Sequence, residues 1–327
     1  MKKRVPYLFI FLAFAALTAC NNNGYKKTKS GLLYKIISDG KGDVAKRGQF
    51  LKFNIEQKVH DSLLFSTDTM PLPGYARVDS VGPTYRLAEI FPMLRKGDSA
   101  VVVQLVDSIE KKYHQPIPPF IHRTDKLITT LRVLEVFTSD SLLDKDRTKL
   151  LDIEKQKEIA TIQDYLKKNN INGVQQTAKG NFYLITEHGN GPKADSSKKI
   201  SISYNGSSLD GKYFDSNIDS TKQVQKHPLE PFSFVPERGG AVPGMLDVAT
   251  EFHQGDKGKI FLPGVMGYGQ QGAGTVIKPF ENLIFDIEID SVTVAPPPQM
   301  RGMQGMPGSR LQMNSKGQIQ LPAKKNK

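Results

Sequence analysis

A chain of 327 residues has room for about two domains, and its 38% hydrophobic content suits folded domains joined by polar segments. The formal net charge of +12 is concentrated at the ends: Lys2, Lys3 and Arg4 open the chain, Arg301, Arg310, Lys316, Lys324, Lys325 and Lys327 sit in a tail without an acidic residue, and residues 21–294 retain +3. That distribution excludes a nucleic-acid platform, and a single cysteine excludes an intramolecular disulfide.

Residues 1–20 read MKKRVPYLFIFLAFAALTAC. A basic start, an apolar run from Tyr7 to Leu17 and small residues after it make a secretory signal; the run is too short to span a bilayer. Leu17-Thr18-Ala19-Cys20 resembles the bacterial lipobox, which implies a lipid on Cys20 as the first mature residue. The expectation is a lipoprotein signal peptide over 1–20 and a protein held at the outer or inner membrane of a Gram-negative envelope, facing the periplasm. A cleaved signal with an incidental cysteine is the alternative.

The next feature is a repeat. TKSGLLYKIISDGKG (28–42) parallels TAKGNFYLITEHGNG (177–191), and Gly31/Gly180, Tyr34/Tyr183, Asp61/Asp210 and Phe65/Phe214 share an offset of 149. Farther on, Gly97-Asp98 matches Gly255-Asp256 and Leu127-Ile128 matches Leu283-Ile284, at larger offsets. Both copies read as β: Ile200–Tyr204 alternates, Leu283–Ile289 alternates in part, Lys259–Leu262 is a short apolar run, and glycine and proline turns separate them. Between the copies, Leu143, Leu150, Ile159, Ile162 and Leu166 recur at helical spacing without Pro or Gly, so 141–168 is a predicted helix. It could space the copies, pack on one of them or form a homodimer. The chain divides into 21–138, a connector at 139–170, 171–294, and an aperiodic basic tail at 295–327 expected to be disordered.

GYGQQG (267–272) fits the glycine pattern of a dinucleotide loop, but its setting does not. Pro263 and Gly264 interrupt the preceding run, and Gly274-Thr275-Val276-Ile277-Lys278-Pro279 is a poor helix start. The six histidines, 60, 114, 122, 188, 227 and 253, show no metal-ligand spacing, and no G-x-S-x-G elbow is present.

The loop belongs to a longer pattern: ISYNGSSLDGKYFDS from Ile202, PFSF (231–234), AVPGM (241–245), QGDKGKIFLP (254–263), GYGQQG, and VIKPFENLIFDIEI (276–289). This order and spacing resemble the FKBP family of peptidyl-prolyl cis-trans isomerases over about residues 180–293. The resemblance implies an α+β fold for each copy, a half-open antiparallel sheet wrapped on a short helix. It implies isomerase activity without a cofactor or metal. It also implies a proline pocket formed by Tyr204, Phe214, Asp215, Phe232, Val242, Tyr268, Val276, Ile277 and Phe285, with Met245 on the floor where the family carries a tryptophan. In that pocket Tyr268 would donate to a substrate carbonyl, and Asp215 would shape the polar rim. The stretch Ile218–Glu230 departs from the pattern by its length and by the lack of the family's basic residue at a clear position.

In the first copy the 149 offset sets Ile55 opposite Tyr204 and Ser66 opposite Asp215. Pro83–Leu87 aligns with Pro231–Val235, which leaves the stretch to Gly97 ten residues shorter than its counterpart and removes most of the AVPGM floor. Tyr113 is the candidate for the Tyr268 role, in a stretch without glycine. The first copy is therefore expected to lack isomerase activity. The whole reads as an envelope isomerase acting on unfolded or proline-containing exported polypeptides, with no nucleic-acid partner. The competing reading is a non-enzymatic chaperone or scaffold built on the same domains.

Overall fold

The computed structural model describes residues 24–79, 82–114 and 116–297. The signal segment with Cys20, and the tail beyond 297, lie outside the described residues. The chain divides into two compact units, one through Lys157 and one from Glu158.

The first unit holds β1 (Lys26–Lys27), β2 (Leu33–Ile37), β3 (Phe50–Val59), β4 (Ser62–Ser66), β5 (Gly74–Arg77), β6 (Ser99–Leu105), α1 (Val106–Tyr113) and β7 (Lys126–Phe137). α2 (Asp140–Lys168) begins in this unit and ends in the second, one residue longer at its start than its apolar spacing predicts. The second unit continues with β8 (Gln175–Gln176), β9 (Phe182–Glu187), β10 (Lys198–Ser208), β11 (Tyr213–Ser216), β12 (Phe232–Phe234), α3 (Pro243–Val248), β13 (Lys257–Leu262) and β14 (Leu283–Val294).

The repeat is a repeat of topology. One seven-stranded antiparallel sheet runs β1-β2-β6-β7-β3-β4 with β5 also on β3; the other runs β8-β9-β13-β14-β10-β11 with β12 also on β10. In the second unit alternate residues face opposite sides. Tyr183, Ile260, Leu262, Leu283, Phe285 and Ile287 turn toward α3 into one core, while Phe182, Phe261 and Ile284 turn outward and are covered by Ile159, Ile162 and Leu166 of α2. Leu143 is buried in the first unit, and Leu150 is only half-buried.

Register corrects the alignment of the two copies twice. Leu51 pairs with Ala76 as Ile200 pairs with Phe234, so the counterpart of Phe232–Phe234 is β5, not Pro83–Leu87. The first copy consequently keeps a floor segment, a 3₁₀ stretch at Leu87–Met93 that buries Ile90 and Phe91. What it has lost lies earlier: the link before the short strand shrinks from residues 217–231 to residues 67–73. The second correction is a slip of one residue. β3 and β4 are joined through His60-Asp61, whereas in the second copy the Ser208 amide donates to the Lys212 carbonyl across a longer turn, 209–211, with Gly211 at φ 83°. Beyond that turn the offset is 150. Gln57 pairs with Phe65 as Gly206 pairs with Asp215, so Phe65, not Ser66, stands where Asp215 does, and Ser66 matches Ser216.

Candidate active site

The site grows from the bend of one sheet. Gly206 lies at a register shift between β10 and β11, and a Cβ there would come within 2.6 Å of the Phe214 ring and 3.1 Å of the Phe285 ring. Its bare backbone lets the two rings meet edge to face, centroids 5.6 Å apart at 82°. Tyr204, two residues earlier on β10, meets Phe285 at 5.9 Å and Phe232 of β12 at 6.3 Å, both edge to face. Such contacts are favourable for the aromatic quadrupole and hold the rings as walls.

Two adjoining hollows result. The first, about 440 Å³, is lined by Tyr204, Phe232, Val242, Met245 and Phe285 together with Ile202, Gly240 and Ala241. Val242 precedes α3, and Met245, 3% exposed, lies on it. The second hollow, about 240 Å³, is bounded by Phe214, Val276, Ile277 and Val224. Asp215 and Tyr268 line both. Every pocket residue named from the sequence is thus brought to one place.

The glycine loop delivers Tyr268. It folds as two 3₁₀ turns, Gly264–Met266 and Gly269–Gln271, and no helix opens at its third glycine. Gly272, at φ 59°, lies where a Cβ would sit 2.3 Å from the Ile277 carbonyl oxygen, so the loop folds back on the 273–277 segment. Tyr268 is 38% exposed. Among the described residues nothing accepts a hydrogen bond from its hydroxyl, which burial of the ring, followed by the nearby Asp215 charge, holds above the usual pKa. It remains a proton donor through the neutral range.

Asp215 is tied down by three donors. The Tyr204 hydroxyl donates to Oδ2 at 2.6 Å, the Ser216 amide donates to Oδ1 at 2.9 Å, and Nε2 of His227 lies 2.8 Å from Oδ1. Burial first, then the hydrogen bond to Asp215, raises the Tyr204 pKa far above its usual value. Asn217 fixes the same corner, accepting from the Tyr204 amide at 2.6 Å and donating to the Ile202 carbonyl at 2.8 Å. His227 and Gly206 escaped the sequence reading. The signal for His227 was its position as the one histidine in a stretch whose basic residue had no clear place.

The first unit repeats the frame without the site. Ile55 replaces Tyr204, its amide donating to Thr67 at 2.8 Å as the Tyr204 amide does to Asn217. Tyr113 ends α1, donates to the Thr84 carbonyl and lies under the Arg86 guanidinium at 4.4 Å, so its hydroxyl is already engaged. Among the described residues no group of His, Cys, Asp or Glu is arranged to hold a metal.

A family model described as FKBP-type peptidyl-prolyl cis-trans isomerase matches residues 191–290, within the second unit. FK506-binding protein 2 of Dictyostelium discoideum is 36% identical over 97 residues, covering 30% of this chain and 67% of that one. The chain belongs to the FKBP family. Its FKBP-type relatives in Escherichia coli include the 22 kDa peptidyl-prolyl cis-trans isomerase, 28% identical over 38% of this chain and 56% of the relative. A second is FkpA, 31% identical over 38% of this chain and 42% of the relative. The chain thus spans about half the length of these curated relatives. The crystal structure of FkpA from Escherichia coli aligns at 26% identity over 48% of this chain and 75% of that one, with a TM-score of 0.36.

Proposed function

We propose that the second unit is a peptidyl-prolyl cis-trans isomerase that binds X-Pro bonds of unfolded or exported polypeptides between its aromatic walls. The observation that carries this reading is the pairing of an edge-to-face aromatic hollow with one unengaged hydroxyl, Tyr268, at its rim. Rotation about an X-Pro bond faces a barrier of ~18–20 kcal/mol and breaks no covalent bond. A catalyst need only bind the twisted amide better than either planar form. Twisting removes amide resonance and lowers the polarity of the bond, which an apolar enclosure by Tyr204, Phe214, Phe232 and Phe285 favours. Val242, Met245, Val276 and Ile277 supply the floor and far wall. Tyr268 holds the substrate carbonyl in register. Asp215, with its oxygens already committed, acts as a fixed acceptor rather than as an acid or base. No step calls for a cofactor.

The assay is cis-to-trans conversion of a proline peptide by the full chain. The wild type accelerates it, and Tyr268→Phe, losing one hydrogen bond, lowers kcat/KM about five- to tenfold. A wild-type rate equal to the spontaneous one refutes the reading.

The setting proposed is the bacterial cell envelope, with a lipid on Cys20 as the anchor. Among the described residues no helix is long and apolar enough to cross a membrane. Cys20→Ser is expected to move the protein from the membrane to the soluble fraction; retention in the membrane contradicts the anchor. Non-enzymatic chain binding is assigned to the first unit. There the edge strand β4 exposes Leu63, Leu64 and Phe65, and Phe120 is 69% exposed. For the homodimer read from the connector, α2 offers exposed Leu142 and Ile153, since Ile159, Ile162 and Leu166 are buried on their own sheet.

A further inference from the structure

We propose that His227 is the positioning residue of the proline pocket: held as an imidazolium between Asp215 and the Pro228 carbonyl, it fixes Asp215 and, through it, the Tyr204 wall. The inference rests on the isomerase reading of this site and assigns a titratable histidine to a stretch where the family's basic residue has no clear place.

The geometry assigns the protonation state. Nε2 faces Oδ1 of Asp215 at 2.8 Å, and Nδ1 faces the Pro228 carbonyl oxygen at 2.9 Å. The Pro228 carbonyl and the Asp215 carboxylate both accept, so the form that serves both contacts at once is the imidazolium, with two N–H donors. A neutral ring would turn one lone pair toward an oxygen lone pair and would have to swing out. The hydrogen bond to Asp215, followed by that to Pro228, raises the His227 pKa against the smaller opposing effect of burial.

The groups around the pair leave His227 as the one that titrates near neutrality. Among the described residues, the titratable side chains lining the second hollow are Asp215, His227 and Tyr268. Tyr204, across Asp215 on β10, and Tyr268, on the glycine loop, are both shifted upward, away from neutral pH. On the same link, Lys222 lies over the Tyr213 ring at 4.6 Å and Lys226 donates to the Ser220 carbonyl. The Gln223 amide nitrogen, 3.3 and 3.4 Å from the two ring nitrogens, donates to the Ser216 carbonyl at 2.7 Å and so locates the ring without charging it.

The first unit supplies the comparison. It shares the topology, yet the link that carries His227 is cut to residues 67–73, Phe65 stands at the register of Asp215, and Ile55 replaces Tyr204. Tyrosine, aspartate and histidine are missing together, as expected of parts that work as one unit.

Because its pKa is raised above the ordinary value of about 6.5, His227 is fully charged below that value and loses its charge as pH rises through the raised one. The wild-type full chain is therefore expected to lose isomerase kcat/KM on the alkaline side of neutrality, by several-fold up to about tenfold, the scale of one charge-assisted hydrogen bond. The test is a protease-free isomerisation assay from pH 5 to about 9, alongside NMR titration of the His227 ring. In His227→Gln the rate should stay at the low alkaline level throughout. In His227→Arg, which keeps the charge, the alkaline fall should disappear. In Asp215→Asn the His227 titration should move down toward its ordinary value. An active wild type whose pH profile is flat, or is unchanged by both His227 substitutions, overturns this inference alone. So does a His227 titration at or below the ordinary value. A wild type with no acceleration at any pH overturns the isomerase reading and this inference with it.

Discussion

Asp215 and Gly206 show how much of the site rests on single side chains or on their absence. Asp215 accepts from Tyr204 and Ser216 and faces His227, so its carboxylate is fixed in place by three neighbours. Gly206 has the opposite character: it contributes only room. Gly206→Ala sets a methyl group 2.6 Å from the Phe214 ring, and the ring must yield. The expected cost is about 1–3 kcal/mol of stability, as for overpacking elsewhere, read as a lower midpoint in chemical denaturation, together with a drop in isomerase activity. An unchanged midpoint would mean that the ring relaxes freely. The pocket aromatics could be named from the sequence because each lies in a short run, such as YFDS or NLIFDIEI, that resembles the FKBP pattern. His227 could not, because a link of residues 217–231 has no periodicity; its ring is located by Asp215 on β11 and by the neighbouring Pro228 carbonyl.

At the scale of elements, α2 ties the glycine loop to the fold. Its Ile162, fully buried, packs with Leu166 against Phe261, Phe182 and Ile284 on the outer face of the sheet, and its buried Glu158 accepts from the Val265 amide at 2.9 Å, three residues before Tyr268. Ile162→Ala should therefore destabilise the second unit by about 2–5 kcal/mol, the range for a fully buried isoleucine. Leu142→Ala, at a position 49% exposed, should change stability by less than about 0.5 kcal/mol. Thermal or denaturant unfolding of the two variants separates these outcomes, and equal effects would contradict the assignment of α2's buried face. The helix itself was readable from its 3.6-residue spacing. The strand alignment was readable only until a hairpin changed length. One additional residue in the 209–211 turn shifts every later comparison and sets Phe65, rather than Ser66, opposite Asp215. The same blindness misplaced the lost segment of the first copy. Counting residues from Pro83 removed the pocket floor, whereas pairing of β5 with β3 retains the floor and shortens the 67–73 link instead.

For the molecule as a whole, duplication has preserved a sheet order and left the two copies with different side chains at the site. Both units repeat the same seven-stranded arrangement, but the aromatic hollow, the open tyrosine hydroxyl and the Tyr204–Asp215–His227 chain occur in the second. In the first, Tyr113 is engaged with Thr84 and Arg86, and Phe65 occupies the acidic position. On the proposed function, the isomerase activity of the full chain resides in one pocket. Phe285 is the residue on which that assignment turns: it joins the walls by meeting both Tyr204 and Phe214, and it is 5% exposed. The deciding measurement is cis-to-trans conversion of a proline peptide by full-length wild type and by full-length Phe285→Ala, each first shown to be folded by its unfolding transition. The wild type is expected to accelerate conversion clearly, and the variant to stay within about twofold of the spontaneous rate. A folded Phe285→Ala chain that still catalyses at the wild-type rate would contradict that expectation and place the activity outside this pocket.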